Sequence, residues 1–69
     1  EPTYDFEALM GEFEEMVGSL MNKNQAYYAP RITEIVEKYL GKGKKASDAT
    51  PKQAEFIYLI VEDMKNTLL

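Results

Sequence analysis

The 69-residue chain contains no cysteine, no histidine and no tryptophan. Without cysteine, neither a disulfide framework nor a thiolate metal site can brace a fold this small. Without histidine, the commonest nitrogen ligand for zinc and the usual general base near neutral pH are both missing, which removes most hydrolase designs. Long apolar runs are missing too. The longest, Phe56 to Val61, falls far short of the roughly 18 to 20 apolar residues that a membrane span requires, so the reading is a soluble, cytoplasmic chain with no membrane partner. The sequence opens Glu1-Pro2 with no initiator Met, basic segment or apolar signal core. It therefore reads as one small domain, residues 1–69, excised from a larger protein; on that reading the activity is expected in the remainder, with this piece targeting or regulating it.

What is present has an ordinary globular balance, 45% hydrophobic and 29% charged, unlike a disordered tail. A domain of this size buries roughly 60% of the surface its unfolded chain exposes, and without covalent staples helix packing must supply the stability.

Helical periodicity is strong at both ends of the chain. Phe6, Leu9, Met10, Phe13, Met16, Val17, Leu20 and Met21 repeat at three and four residues, which predicts a first amphipathic helix, with Thr3 or Asp5 as its cap. Gly11 and Gly18 weaken it, and their expected purpose is to let a neighbouring helix approach closely. The polar segment Asn22-Lys23-Asn24-Gln25 predicts the end of that helix. A second helix is expected to start at Ala29-Pro30, with proline at its first position. Ile32, Ile35, Val36, Tyr39 and Leu40 form its stripe, Gly41 closes it, and Tyr27 and Tyr28 pack at its start. Thr50-Pro51-Lys52-Gln53 supplies a cap, a proline and a glutamine three residues after the cap, which marks the start of a third helix. Ile57, Ile60, Val61, Met64 and Leu68 make its core stripe; Phe56 and Leu59 point elsewhere, towards a partner or into a wide buried arc. The expected fold is all-α, a compact three-helix bundle.

Charge is segregated along the chain. Glu1, Asp5, Glu7, Glu12, Glu14 and Glu15 stand with no basic residue before Lys23, whereas Lys38, Lys42, Lys44, Lys45 and Lys52 are opposed only by Asp48 over residues 38–52. The acidic stretch is either a solvated helix face or a docking face for a basic partner, centred on Glu12 and Glu15; mimicry of nucleic acid is a third reading. The loop Gly41-Lys42-Gly43-Lys44-Lys45 is the local feature best suited to specific binding, because glycines bring amides near an anion and lysines neutralise phosphate. It is not a nucleotide-binding P-loop, since the GxxxxGK[ST] spacing is absent and Ala46 follows Lys45. It partly matches a helix-hairpin-helix turn, but Lys42 stands where that motif carries an apolar residue. The plainer alternative is a solvated helix connection.

Catalysis has little support. Glu14-Glu15, Glu62-Asp63 and the pair Glu34 and Glu37 place carboxylates near one another, as chance does in a chain with twelve acids, and a small bundle has little room for a water-excluding pocket. No catalytic, cofactor or metal residue is assigned.

The run Ile-Val-Glu-Lys-Tyr-Leu-Gly-Lys-Gly-Lys-Lys, followed by Ala-Thr-Pro-Lys-Gln and an Ile/Leu-rich helix within Ile32 to Leu68, resembles C-terminal segments of phage-type DNA recombination, single-strand annealing or nucleotide-binding proteins. The resemblance covers about half the chain. It implies an accessory domain that contacts single-stranded DNA or another recombination or replication protein through Lys42, Lys44 and Lys45, with Lys38 and Lys52 beside them. Exposed tryptophan and arginine, which often add stacking to single-strand contacts, are missing from this region. The leading expectation is therefore non-catalytic protein docking, through Glu12, Glu15, Phe56 and Leu59. Single-stranded DNA contact through the lysines is its rival, and self-association as a homo-oligomer is the third possibility.

Overall fold

The computed structural model describes residues 4–69, which are helical apart from short connections. Two α-helices, α1 (Phe6–Leu40) and α2 (Ala54–Thr67), are joined by two single 3₁₀ turns, Ala46–Asp48 and Pro51–Gln53. Among the described residues there is no strand. Asp5 caps α1, its Oδ1 accepting from the Ala8 N–H at 3.1 Å, and Glu7 in the first turn suits the positive end of the helix dipole. Thr3, the other candidate cap, lies outside the described residues.

The run of helix in α1 is interrupted at one residue. Asn24 has φ −165° and ψ 90°, whereas the residues on either side are helical. A straight helix of 35 residues would reach about 52 Å at 1.5 Å per residue, yet the longest dimension of the molecule is 37 Å, so α1 bends back on itself. Residues 6–23 form a first arm and residues 25–40 a second. The Asn24 Oδ1 accepts from the Tyr27 N–H at 3.1 Å, which is the hydrogen bond of an N-cap.

Two expectations are corrected here. The break falls within Asn22–Gln25 as expected, but no connecting segment follows it, and the second arm starts at Gln25 rather than at Ala29-Pro30. Pro30 sits inside α1, where its ring withholds one helical hydrogen bond from Ala26. Nearby, the Arg31 Nη1 donates to the Tyr27 carbonyl at 2.7 Å. Gly11 and Gly18 do not admit a close neighbour: a Cβ built at either would meet nothing within 4 Å. Both glycines are exposed, because the arm packs through its opposite, apolar face.

That face supplies Phe13 and Leu20 to the core, the second arm supplies Ile32 and Val36, and α2 supplies Ile57, Ile60, Val61 and Met64. Leu20, Ile57, Ile60 and Met64 are completely buried, each contributing roughly 1.5–3 kcal/mol relative to an exposed side chain. Phe6, Leu9, Met10, Met16, Val17 and Met21 pack partly buried around them, as do Ile35, Tyr39, Leu40 and Leu68. The ring of Tyr4 lies 5.0 Å from that of Tyr58, tying the chain ahead of α1 to α2. Ion pairs complete the assembly: the Lys65 Nζ reaches Glu12 across the first arm at 2.8 Å and Glu62 at 3.6 Å. Nothing among the described residues is a helix long and apolar enough to cross a membrane.

Candidate binding site at the basic loop

Leu40 ends α1 because Gly41 adopts φ +110°, and Gly43 follows at φ +79°. Both values favour glycine, since a Cβ there would crowd the backbone. The chain then closes tightly on itself. The Gly41 N–H donates to the Glu37 carbonyl at 2.9 Å and the Lys44 N–H to the Gly41 carbonyl at 3.1 Å. The Gly43 N–H donates to the Glu37 side chain, Oε2, at 2.9 Å. Three amides of the loop, including one of those that would have cradled an anion, are thus satisfied within the chain, one of them by a carboxylate. Ala46 is buried and pins the far side of the loop to the core.

Lys42, Lys44 and Lys45 are exposed between these two anchors. None of them, nor exposed Lys52, forms an ion pair with a described residue. Beneath the loop runs an open groove with Phe13, Ile32, Val36 and Ala46 as its apolar floor and Lys44, Lys45, Glu37, Thr33 and Ser47 on its rim, the Glu37 carboxylate being held by the Gly43 N–H. Contributions come from both arms of α1, so the groove exists only because the helix reverses at Asn24.

Lys38 takes a different role from its neighbours. Its Nζ lies 3.3 Å from the Asp63 Oδ2, which also accepts from the Tyr39 hydroxyl at 2.9 Å. The hydrogen bond from the Lys38 Nζ to Asp63, together with the carboxylate's charge, raises the Lys38 pKa above 10.5. Lys38 therefore ties α1 to α2, outside the lysine group of the loop. Glu12 is likewise engaged, through the contact that raises the pKa of Lys65 above its ordinary value. Glu15 remains exposed and borders a second groove with Glu12, Met16, Lys65 and Leu69. Phe56 is 41% exposed and Leu59 half-buried. Neither joins the buried core of α2.

Tyr27 and Tyr28, expected to pack, divide. Tyr28 packs against the core, whereas Tyr27 is 48% exposed, meets Tyr28 edge-on at 4.9 Å and carries the Arg31 guanidinium 3.7 Å from its ring centre. The spacing of four between an aromatic and the only arginine was the available signal for this pair. No group of three or more acidic residues suited to a metal ion occurs among the described residues.

No family model matches the chain, and no solved structure does. The chain is similar to an uncharacterised SPbeta prophage-derived protein of Bacillus subtilis (strain 168), with 36% identity over 64 residues. The match takes in 93% of this chain but spans only 19% of the length of that relative. The chain is thus related to a prophage-derived protein of which it spans about a fifth, and its described residues are all-helical.

Proposed function

We propose that the chain is a non-catalytic docking module of a longer, phage-type recombination or replication protein, working in the cytoplasm. Its architecture in this reading is a three-helix bundle, the two arms of α1 and α2 serving as the three helices. The partner is an acidic protein segment with apolar anchors, held in the groove beneath the basic loop. One observation carries this reading: the groove has an apolar floor of Phe13, Ile32, Val36 and Ala46 under a rim that includes Lys44 and Lys45. Apolar anchors supply affinity in such a contact, and the lysines supply orientation and rate of encounter. The small share of the prophage relative that the chain matches supports an accessory role within a larger protein.

Contact with single-stranded DNA through Lys42, Lys44, Lys45 and Lys52 is the second reading, favoured by the exposure of these four residues without ion-pair partners among the described residues. It ranks lower because the Gly43 amide is already held by Glu37, and because the floor of the groove offers phosphate nothing. An amide and methyl shift titration separates the two. An acidic amphipathic peptide is expected to shift Phe13, Ile32 and Val36 together with residues 44–46 and to survive added salt. A short single-stranded DNA that shifts only the lysine segment, with binding that collapses between low and physiological salt, would replace docking by the second reading.

A further inference from the structure

Helix-to-helix connections in compact domains ordinarily contain several residues; the one at Asn24 contains a single residue outside helical φ/ψ. Its conformation is extended backbone that any residue adopts, so nothing in its own geometry compels the break. From Ser19 to Ala29 there is no glycine or proline. Within this stretch the Asn24 side-chain hydrogen bond to Tyr27 is the feature that holds the bent form at the hinge.

Returning two dihedral angles to helical values would make α1 one rod of about 52 Å. The first arm would then leave the core, exposing Phe13 and Leu20 and opening the cluster they share with α2. Exposed apolar surface of that extent must be covered again. A second copy in the same open form offers the matching surface, because it lacks the same arm. We infer that the chain exchanges its first arm with a second copy by straightening at Asn24, giving a domain-swapped dimer. Core contacts are the same in both forms, and the Lys65–Glu12 ion pair simply passes between chains. At a given protein concentration the hinge tips the balance against the entropy lost on association: the bent form gains the Asn24 cap, and the straight form gains the helical hydrogen bonds that cross residue 24.

The test compares the unaltered chain with two hinge variants by sedimentation equilibrium over a wide concentration range. Asn24→Ala removes the cap and favours continuous helix, so its dimerisation constant is expected to rise about tenfold or more, two caps being lost per dimer. Gln25→Pro occupies the first helical position, which tolerates proline, while it forbids a straight helix through Asn24; it is expected to abolish the dimer while keeping the helical circular dichroism signal. Mixing Glu12→Lys with Lys65→Glu is expected to yield mixed dimers in preference to either alone. A helical Asn24→Ala chain that stays monomeric throughout would overturn the inference. So would a Gln25→Pro chain that dimerises as readily as the unaltered one, and that arm remains decisive if Asn24→Ala fails to fold.

Discussion

The molecule has two joints, and they are made in opposite ways. At Asn24 the chain reverses through one residue and a single side-chain cap, with helix on both sides. Between Gly41 and Gln53 it turns through two glycines of positive φ, two 3₁₀ turns and a proline, tied down at Gly43 and Ala46. The first joint is local, carries no charged cluster and gains its direction from the core it feeds. The second is long enough to present side chains, and four lysines stand in it. Reversal of direction needs very little chain. Presentation of a binding surface needs a loop with its own anchors.

Substitutions in the core are expected to have the largest effects. Leu20 is completely buried one turn before Asn24; Leu20→Ala is expected to cost about 3 kcal/mol, measured by chemical denaturation. If the cost is far smaller, the bend does not hold the first arm in the core. The glycines give the next effect and a change of sign. Gly43→Ala is expected to destabilise by about 1–2 kcal/mol, because φ +79° suits glycine. Gly11→Ala and Gly18→Ala, in open helical surface, are each expected to stabilise by about 0.5–1 kcal/mol. Equal effects at both kinds of site would mean that the loop does not hold its positive-φ geometry in solution.

Smaller still is the anchor of the basic loop. Glu37→Ala removes the acceptor for the Gly43 N–H and is expected to cost about 1 kcal/mol, with shift changes confined to residues 41–46. The smallest effect is electrostatic. Lys38 and Lys65 have folded-state pKa values raised above 10.5 by their hydrogen bonds to Asp63 and Glu12. A raised lysine pKa contributes stability that is present below the unfolded value and lost as pH rises through the folded one. The denaturation midpoint is therefore expected to fall slightly as pH climbs beyond 10.5, and Lys38→Met should flatten that slope.

How much could be read beforehand follows from how local each signal is. The start at Asp5, the stop at Gly41 and the entry through Thr50, Pro51 and Gln53 all rest on residues within one turn of one another; Gln53 Oε1 does accept from the Thr50 N–H at 3.0 Å. The core stripe of α2 was legible for the same reason, since Ile57, Ile60, Val61 and Met64 repeat at helical spacing. Pro30 misled because proline marks a helix start in sequence, whereas here one lost backbone bond is tolerated inside α1. The Asp63 partner of Lys38 and the Glu12 partner of Lys65 were not legible. Each is paired across the fold, over 25 residues for Lys38 and Asp63, and only packing brings such groups together. The candidate lysines were visible as a charge cluster. The apolar floor beneath them was not, because it is assembled from both arms.

The basic joint also marks where the chain can be cut. Lys42, Lys44 and Lys45 are exposed and outside regular helix, and Lys42 and Lys44 adjoin glycine, the setting in which a trypsin-like protease acts first. Cleavage there would leave a hairpin of both arms and a separate α2. The two pieces share the buried cluster of Leu20, Ile57, Ile60 and Met64, so they would remain associated after the backbone is severed. A chain split there is expected to reassemble from its two fragments, with recovery of the helical circular dichroism signal on mixing as the check.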